Sequence, residues 1–281
     1  MKSRLTSIFI LPLAVSIFFN IEAFAWLMAQ TPPRQPSPPR RQSSPSTPQS
    51  QPRQPLAETR NPPTTTRLSF TLPPKGAPGG NRGGGAAGRG DCTVVGKAPL
   101  TALVPGTNIG LTIAERPTFW FYLPYQSNPR ISVEFSLTDD RENTAYKASF
   151  QLTATPGIVG INLLPNTPGL EIGKIYRWKL KIVCDPENPR EFESVDGAVE
   201  RVRLEENLKQ KIEGVNGRDR VLIYAQNGLW YDTLTNLIQL RRQNPKDAQL
   251  AKDWEDLLQQ SPDIALDKIV NEPVVNCCTP R

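Results

Sequence analysis

The strictest constraint on this chain is an alternation of apolar and polar residues that recurs three times near its middle. Tyr176, Trp178, Leu180, Ile182 and Cys184 are interleaved with Arg177, Lys179 and Lys181. Ile131, Val133, Phe135 and Leu137 alternate with Ser132, Glu134, Ser136 and Thr138, and Tyr146, Ala148, Phe150 and Leu152 with Lys147, Ser149 and Gln151. A period of two belongs to a strand with one buried face and one wet face. Pro99–Val104, Ile109–Ile113, Ile158–Leu164 and Ala198–Leu204 read as further strands, punctuated by turn signals such as Thr155-Pro156-Gly157 and Asp185-Pro186. No segment of helical period interrupts them. The expectation for residues 91–204 is an antiparallel β-sandwich of immunoglobulin-like size.

Gly110–Tyr125 holds the densest aromatic run, with Phe119, Trp120, Phe121 and Tyr122 behind a Glu115-Arg116-Pro117 corner. It is predicted as a strand at the centre of the β-domain. Two readings of its aromatics stand side by side. Phe119 and Phe121 point inward while Trp120 and Tyr122 cover the other face beneath the C-terminal helices; alternatively, Trp120, Tyr122 and Tyr125 form a stacking platform for sugars or peptides. Glu115 and Arg116 form either an ion pair or a solvated corner.

Beyond Leu204 the period becomes helical, so residues 205–281 are predicted to form a small α-helical module. A short helix ends over Arg218–Ala225, and Asn227-Gly228 breaks it. Trp230, Tyr231, Leu234, Leu237 and Ile238 then line one face of a longer helix, which Asn244-Pro245 ends. Asp247 is a plausible N-cap for a helix carrying Leu250, Trp254, Leu257 and Leu258, and Ser261-Pro262-Asp263 caps a final short one. Val221–Leu258 resembles a tetratricopeptide hairpin. It has one copy, whereas stacked arrays need about three, so it is expected to pack on the β-domain. The alternative makes it one edge of a partner site, with Trp230 and Tyr231 as binding residues.

The N-terminal third reads differently. Lys2 and Arg4, the apolar Ile8–Phe19 and Ala23-Phe24-Ala25 make residues 1–25 a secretory signal peptide. A retained anchor is the alternative, because Trp26-Leu27-Met28-Ala29 continues the apolar run. Residues 26–90 are expected to be a disordered tether, first rich in Pro, Ser and Arg, then in Gly. Between Thr31 and Gly90 eight arginines and Lys75 face only Glu58, so the excess of positive charge lies there and the remainder is mildly acidic. Nucleic-acid binders carry basic charge on the folded domain, which argues against that class. Membrane contact is expected only through the transient signal peptide.

The chain has no histidine. Ser-His-Asp and Cys-His catalysis are excluded, along with the commonest metal ligand. Its four cysteines are Cys92, Cys184 and the vicinal Cys277-Cys278. In an exported protein they suggest disulfides, with Cys92–Cys184 favoured because both fall in the β-domain. A redox-active Cys277-Cys278 pair is the sharper alternative. No Cys-x-x-Cys spacing supports zinc, no phosphate loop fits Gly79–Gly90, and no metal or cofactor is expected. Asp139, Asp140 and Glu142 could serve a carboxylate-based hydrolase or a calcium site, but acidic residues are favoured in such a turn regardless.

Arg116-Pro117-Thr118-Phe119-Trp120-Phe121-Tyr122, Thr155-Pro156-Gly157-Ile158-Val159, Tyr176-Arg177-Trp178, Ile182-Val183-Cys184-Asp185-Pro186 and Gly228-Leu229-Trp230-Tyr231-Asp232 resemble the ordered signature blocks of a cyanobacterial family catalogued as domain of unknown function 928. The resemblance covers roughly Ala77 to Cys278. It implies export and a β-then-helical layout, and transfers no catalytic residue. The function expected is that of an exported, non-enzymatic interaction or scaffold protein of the periplasm or outer envelope. Its partner is then an envelope protein, or alternatively a cell-wall glycan held by the sheet aromatics.

Overall fold

The computed structural model describes residues 66–74, 80–83, 92–260 and 263–280. The expected signal peptide and most of the expected tether lie outside the described residues. Among the described residues eight strands precede four α-helices, as the change of period predicts. The strands are β1 (Thr101–Ala102), β2 (Ile109–Thr112), β3 (Thr118–Leu123), β4 (Ser132–Thr138), β5 (Thr144–Gln151), β6 (Gly157–Asn162), β7 (Ile175–Val183) and β8 (Phe192–Arg201). The helices are α1 (Glu206–Glu213), α2 (Gly217–Gln226), α3 (Trp230–Gln243) and α4 (Ala248–Gln259). Ser261 and Pro262 of the expected cap lie outside the described residues; beyond them a single 3-10 turn covers Asp267–Ile269, and a two-residue β9 (Thr279–Pro280) closes the order.

The strands form two sheets. The smaller runs β1-β3-β6, and the larger runs β2-β8-β7-β4-β5 with β9 added at its edge. The alternation fixes which residues turn inward: Val133, Phe135 and Leu137 are buried, as are Tyr176, Trp178, Leu180 and Ile182. The sheets meet through aromatic rings. Phe119 lies 4.8 Å from Phe135 and Phe121 lies 5.5 Å from Trp178. Cys92 and Cys184 are disulfide-bonded, tying the start of this region to the end of β7.

Three expectations need correction. Gly110–Tyr125 is not one strand: β2 joins the larger sheet and β3 the smaller. The Glu115-Arg116-Pro117 corner carries the chain between them, since proline cannot donate to a ladder. Nor is the larger sheet wholly antiparallel, because β2 pairs with β8 in parallel, Ile109 opposite Ala198. Thirdly, the end of the expected tether is docked. Leu68 and Phe70 are buried, and Phe70 meets Trp230 edge-on at 4.9 Å. Thr71 N–H donates to Ala225 C=O at 3.0 Å, and Arg67 bonds Asp256 at 3.0 Å. Leu68, Phe70 and Leu72 supply the apolar surface that the surrounding Pro/Ser/Arg composition lacks.

The helices beyond Leu204 do not build a core of their own: α3 and α4 join the main core of the sheets, and α1 packs in a smaller cluster with Leu111, Ile113 and Val202 of the β-region. Trp230, Tyr231, Leu234, Leu237 and Ile238 share one apolar cluster with Phe119, Phe135 and Trp178. Trp230 Nε1 donates to Leu103 C=O at 2.8 Å, and Trp178 Nε1 donates to the Tyr231 hydroxyl at 2.8 Å. A lone helical hairpin has no second copy to cover its apolar face; here the sheets cover it.

Candidate functional site

α3 buries one face and presents a flank of Asp232, Thr235, Asn236, Gln239 and Arg242, residues spaced so that they stack along one side of a helix. Beside this flank run two cavities of about 250 Å³ each, both lined by Thr118, Thr235 and Gln239. The first continues to Arg116, Asp232 and Asn236. The second continues over Trp120 and Gly160 to Asn162, Arg242, Asn276 and Cys277. Together they form a polar groove between α3, the small sheet and the C-terminal segment. A third cavity, of about 430 Å³, lies across Arg242 between the α3–α4 turn and residues 270–274.

The groove's floor depends on one glycine. Trp120 stands opposite Gly160 in the β3–β6 register, and its indole lies across the space a side chain would fill. A Cβ at Gly160 would sit 3.0 Å from Trp120 Cζ3 and 2.9 Å from Thr118 Cγ2. The indole is fixed from the helix side as well: Nε1 donates to Thr235 Oγ1 at 3.0 Å, and the Arg242 guanidinium lies 5.7 Å from the ring. Trp120 therefore belongs to the floor, only 5% exposed.

Asp232 closes one end. It is 8% exposed and accepts from Ile113 N–H at 3.1 Å. Burial pushes its carboxyl up to about 6, against the opposing pull of the Ile113 N–H and the Thr112 hydroxyl. At the other end Arg242 donates to Val275 C=O at 3.3 Å. Neighbouring Arg241 lies over Trp254 at 4.7 Å, and burial lowers its pKa.

The five aromatics expected as binding residues have different places. Tyr122, Tyr125, Trp230 and Tyr231 are all at most 2% exposed, and none forms an exposed platform. Tyr125 donates to Glu193 at 2.7 Å, and burial followed by that carboxylate raises its phenol. Trp230 and Tyr231 hold the helices to the sheets. The reason is area: rings this large are worth most between two sheets and a helix. Phe119 and Phe121 inward, Trp120 beneath α3, is the arrangement that the first reading of the run expects. Asp139 shapes the β4–β5 hairpin, accepting from Arg141 N–H at 2.9 Å and Asn143 N–H at 2.8 Å, and the Asn143 side chain lowers its pKa. Glu115 and Arg116 form an ion pair at 2.7 Å in a partly exposed corner. Cys277 and Cys278 are joined to each other, and Cys277 lines the groove. Among the described residues no group of three or more metal-ligating side chains converges, and no helix is long and apolar enough to cross a membrane.

The polar flank of α3 carries a faint signal in the sequence, since Asp232, Asn236 and Gln239 stand four and three residues apart, the spacing of one helix side, but so does any solvated helix face. Gly160 and the path of residues 273–280 carry no such local signal. Comparison with curated proteins and with solved structures gives no match. The family model described as Domain of Unknown Function (DUF928) matches residues 78–274, a span that holds β1 to β8, all four α-helices and most of the groove. The chain belongs to that family.

Proposed function

We propose that this chain is an exported, non-enzymatic interaction module of the periplasm or outer cell envelope, and that it holds a partner protein in the groove along α3. The observation that carries this reading is the groove's lining. Thr118, Thr235, Asn162, Asn236, Gln239 and Asn276 offer amides and hydroxyls that donate and accept without ionising. Such groups suit recognition of polar backbone and side-chain groups. Export is supported by the signal-like residues 1–25 and by the Cys92–Cys184 bond, which fits an oxidising compartment. The arginine-rich stretch before Thr66 then serves as the spacer between the envelope and the folded part. No catalytic residue is assigned: Asp232, the buried carboxyl of the groove, is engaged by Ile113 N–H, and the chain has no histidine to work beside it.

The test is affinity capture from an envelope extract of the protein's own source, with the full mature chain as bait. One protein should be enriched, and the Gln239→Ala/Asn276→Ala double variant should retain less than a fifth of it. Both residues are exposed, so the variant should melt with the parent. Capture that ignores the double variant contradicts the reading. Co-sedimentation with purified peptidoglycan, lost in the same variant, would replace the protein partner with a cell-wall glycan.

A further inference from the structure

Resting on that reading of the groove, we propose that the partner enters as an extended peptide carrying an Asp or Glu, and that it adds a strand to the outer edge of β6 at Gly160–Asn162. The edge already takes one extended chain. Ile158 N–H donates to Pro273 C=O at 2.7 Å, and Val275 N–H donates to Ile158 C=O at 2.9 Å, a parallel bridge between Ile158 and Val274. Backbone groups along a strand alternate sides. Since Ile158 turns both of its groups toward the C-terminal segment, Gly160 and Asn162 turn theirs the same way. The β3 side agrees: Trp120, opposite Gly160, spends its C=O on Leu103 N–H at 2.9 Å and not on β6.

The covering chain then departs. Val275 C=O accepts from Arg242, Cys278 N–H donates to Thr153 Oγ1 at 3.2 Å, and β9 pairs with Phe150 and Gln151 of β5. Past Ile158, therefore, the β6 edge has no strand beside it among the described residues. The space there is the second groove cavity, lined by Gly160, Asn162, Val275 and Cys277. An open edge of this kind is a template for an added strand. Gly160 keeps the floor low, because a Cβ there would press on the Thr118 methyl and the Trp120 ring and push them toward the edge.

Charge chooses the peptide. Arg242 is exposed, and its contacts are a carbonyl and an indole face, both neutral. A carboxylate arriving along the edge would complete a charge-assisted hydrogen bond to it.

The probe is a displayed library of random nonapeptides, selected on the full mature chain. Enriched peptides should carry Asp or Glu. On binding them, the Gly160 and Asn162 amides should gain protection in hydrogen exchange. Asn162→Pro deletes one outward N–H and no backbone bond to β3, and it also removes the exposed side-chain bond from the Thr118 hydroxyl, which Asn162→Ala removes alone. Asn162→Pro should weaken binding at least tenfold relative to Asn162→Ala, with little difference in melting temperature between the two. Arg242→Gln should weaken acidic peptides selectively. Peptides that bind equally well to Asn162→Pro but fail on Gln239→Ala would overturn strand addition and leave the groove standing. Binding indifferent to both variants would overturn both. A library that yields no binder, while the envelope extract still yields a protein, would overturn only the extended-peptide form.

Discussion

Tyr231 is the side chain through which the helices hold the larger sheet. Its hydroxyl accepts from Trp178 Nε1 at 2.8 Å and donates to Ala198 C=O at 3.1 Å, while its ring meets Phe119 at 5.2 Å. Gly110 makes room for it: a Cβ there would stand 2.6 Å from the ring. Tyr231→Phe keeps the ring and leaves a buried donor and acceptor unpaired, so it should cost about 1–3 kcal/mol, read by chemical denaturation. Asp232, next along the helix, makes stability depend on pH. Its folded pKa of about 6 lies above the ordinary 3.8, so between these values the folded state holds a proton that the unfolded state has released. Stability from this group is therefore fully present below about pH 4 and declines as pH rises from there through about 6, by about 3 kcal/mol in all if the whole shift is expressed. Denaturation midpoints of Asp232→Asn measured from pH 4 to 7 should lack that decline. An identical decline in the variant would assign it to another group.

At the scale of elements, the strands were the most legible part of the chain. Val133, Phe135 and Leu137 alternate because the backbone itself alternates, and that pattern needs no knowledge of neighbours. Pairing is different. That β2 lies parallel to β8, or that the chain changes sheets at Pro117, depends on residues about 90 positions apart, and no local period encodes it. The docked segment before β1 was hidden for a related reason. Leu68 and Phe70 sit among prolines, threonines and arginines, and only the opposite surface of α2 and Trp230 gives them a use. A fragment beginning at Asp91, the boundary that composition suggests, should therefore be less stable than one beginning at Asn61. Losing the buried Phe70 alone should cost about 3–5 kcal/mol, measured as a difference in urea midpoint. Equal midpoints would mean that residues 66–74 add nothing to the fold. Within the helical region, Asp247 is the N-cap that its sequence position suggests, accepting from Gln249 N–H at 2.8 Å and Leu250 N–H at 3.1 Å.

Among the described residues the main core joins strands, helices and the segment around Phe70, with a smaller cluster under α1 around Ile212, Tyr224 and Leu229, and the groove is a by-product of how these elements meet. α3 lies across the small sheet, the C-terminal segment crosses from β6 to β5, and the space left between them is lined by whichever polar residues remain outside. The five aromatics chosen from sequence are conspicuous because the core needs them; Asn162, Gln239 and Asn276 are inconspicuous because polar residues on a surface are ordinary. Burial thus explains why the large rings misdirect a search for the site, and why only Trp120 and Tyr231 of the five touch it, as parts of its wall. The central claim, that this groove is the binding surface, is tested most directly by crosslinking from inside it. A photoreactive amino acid placed at Gln239 of the full chain, irradiated in the protein's own envelope, should give one protein adduct. The same group at the exposed Lys147 on β5 should give none. Adducts that are equal from both positions, or present only from Lys147, would contradict the account.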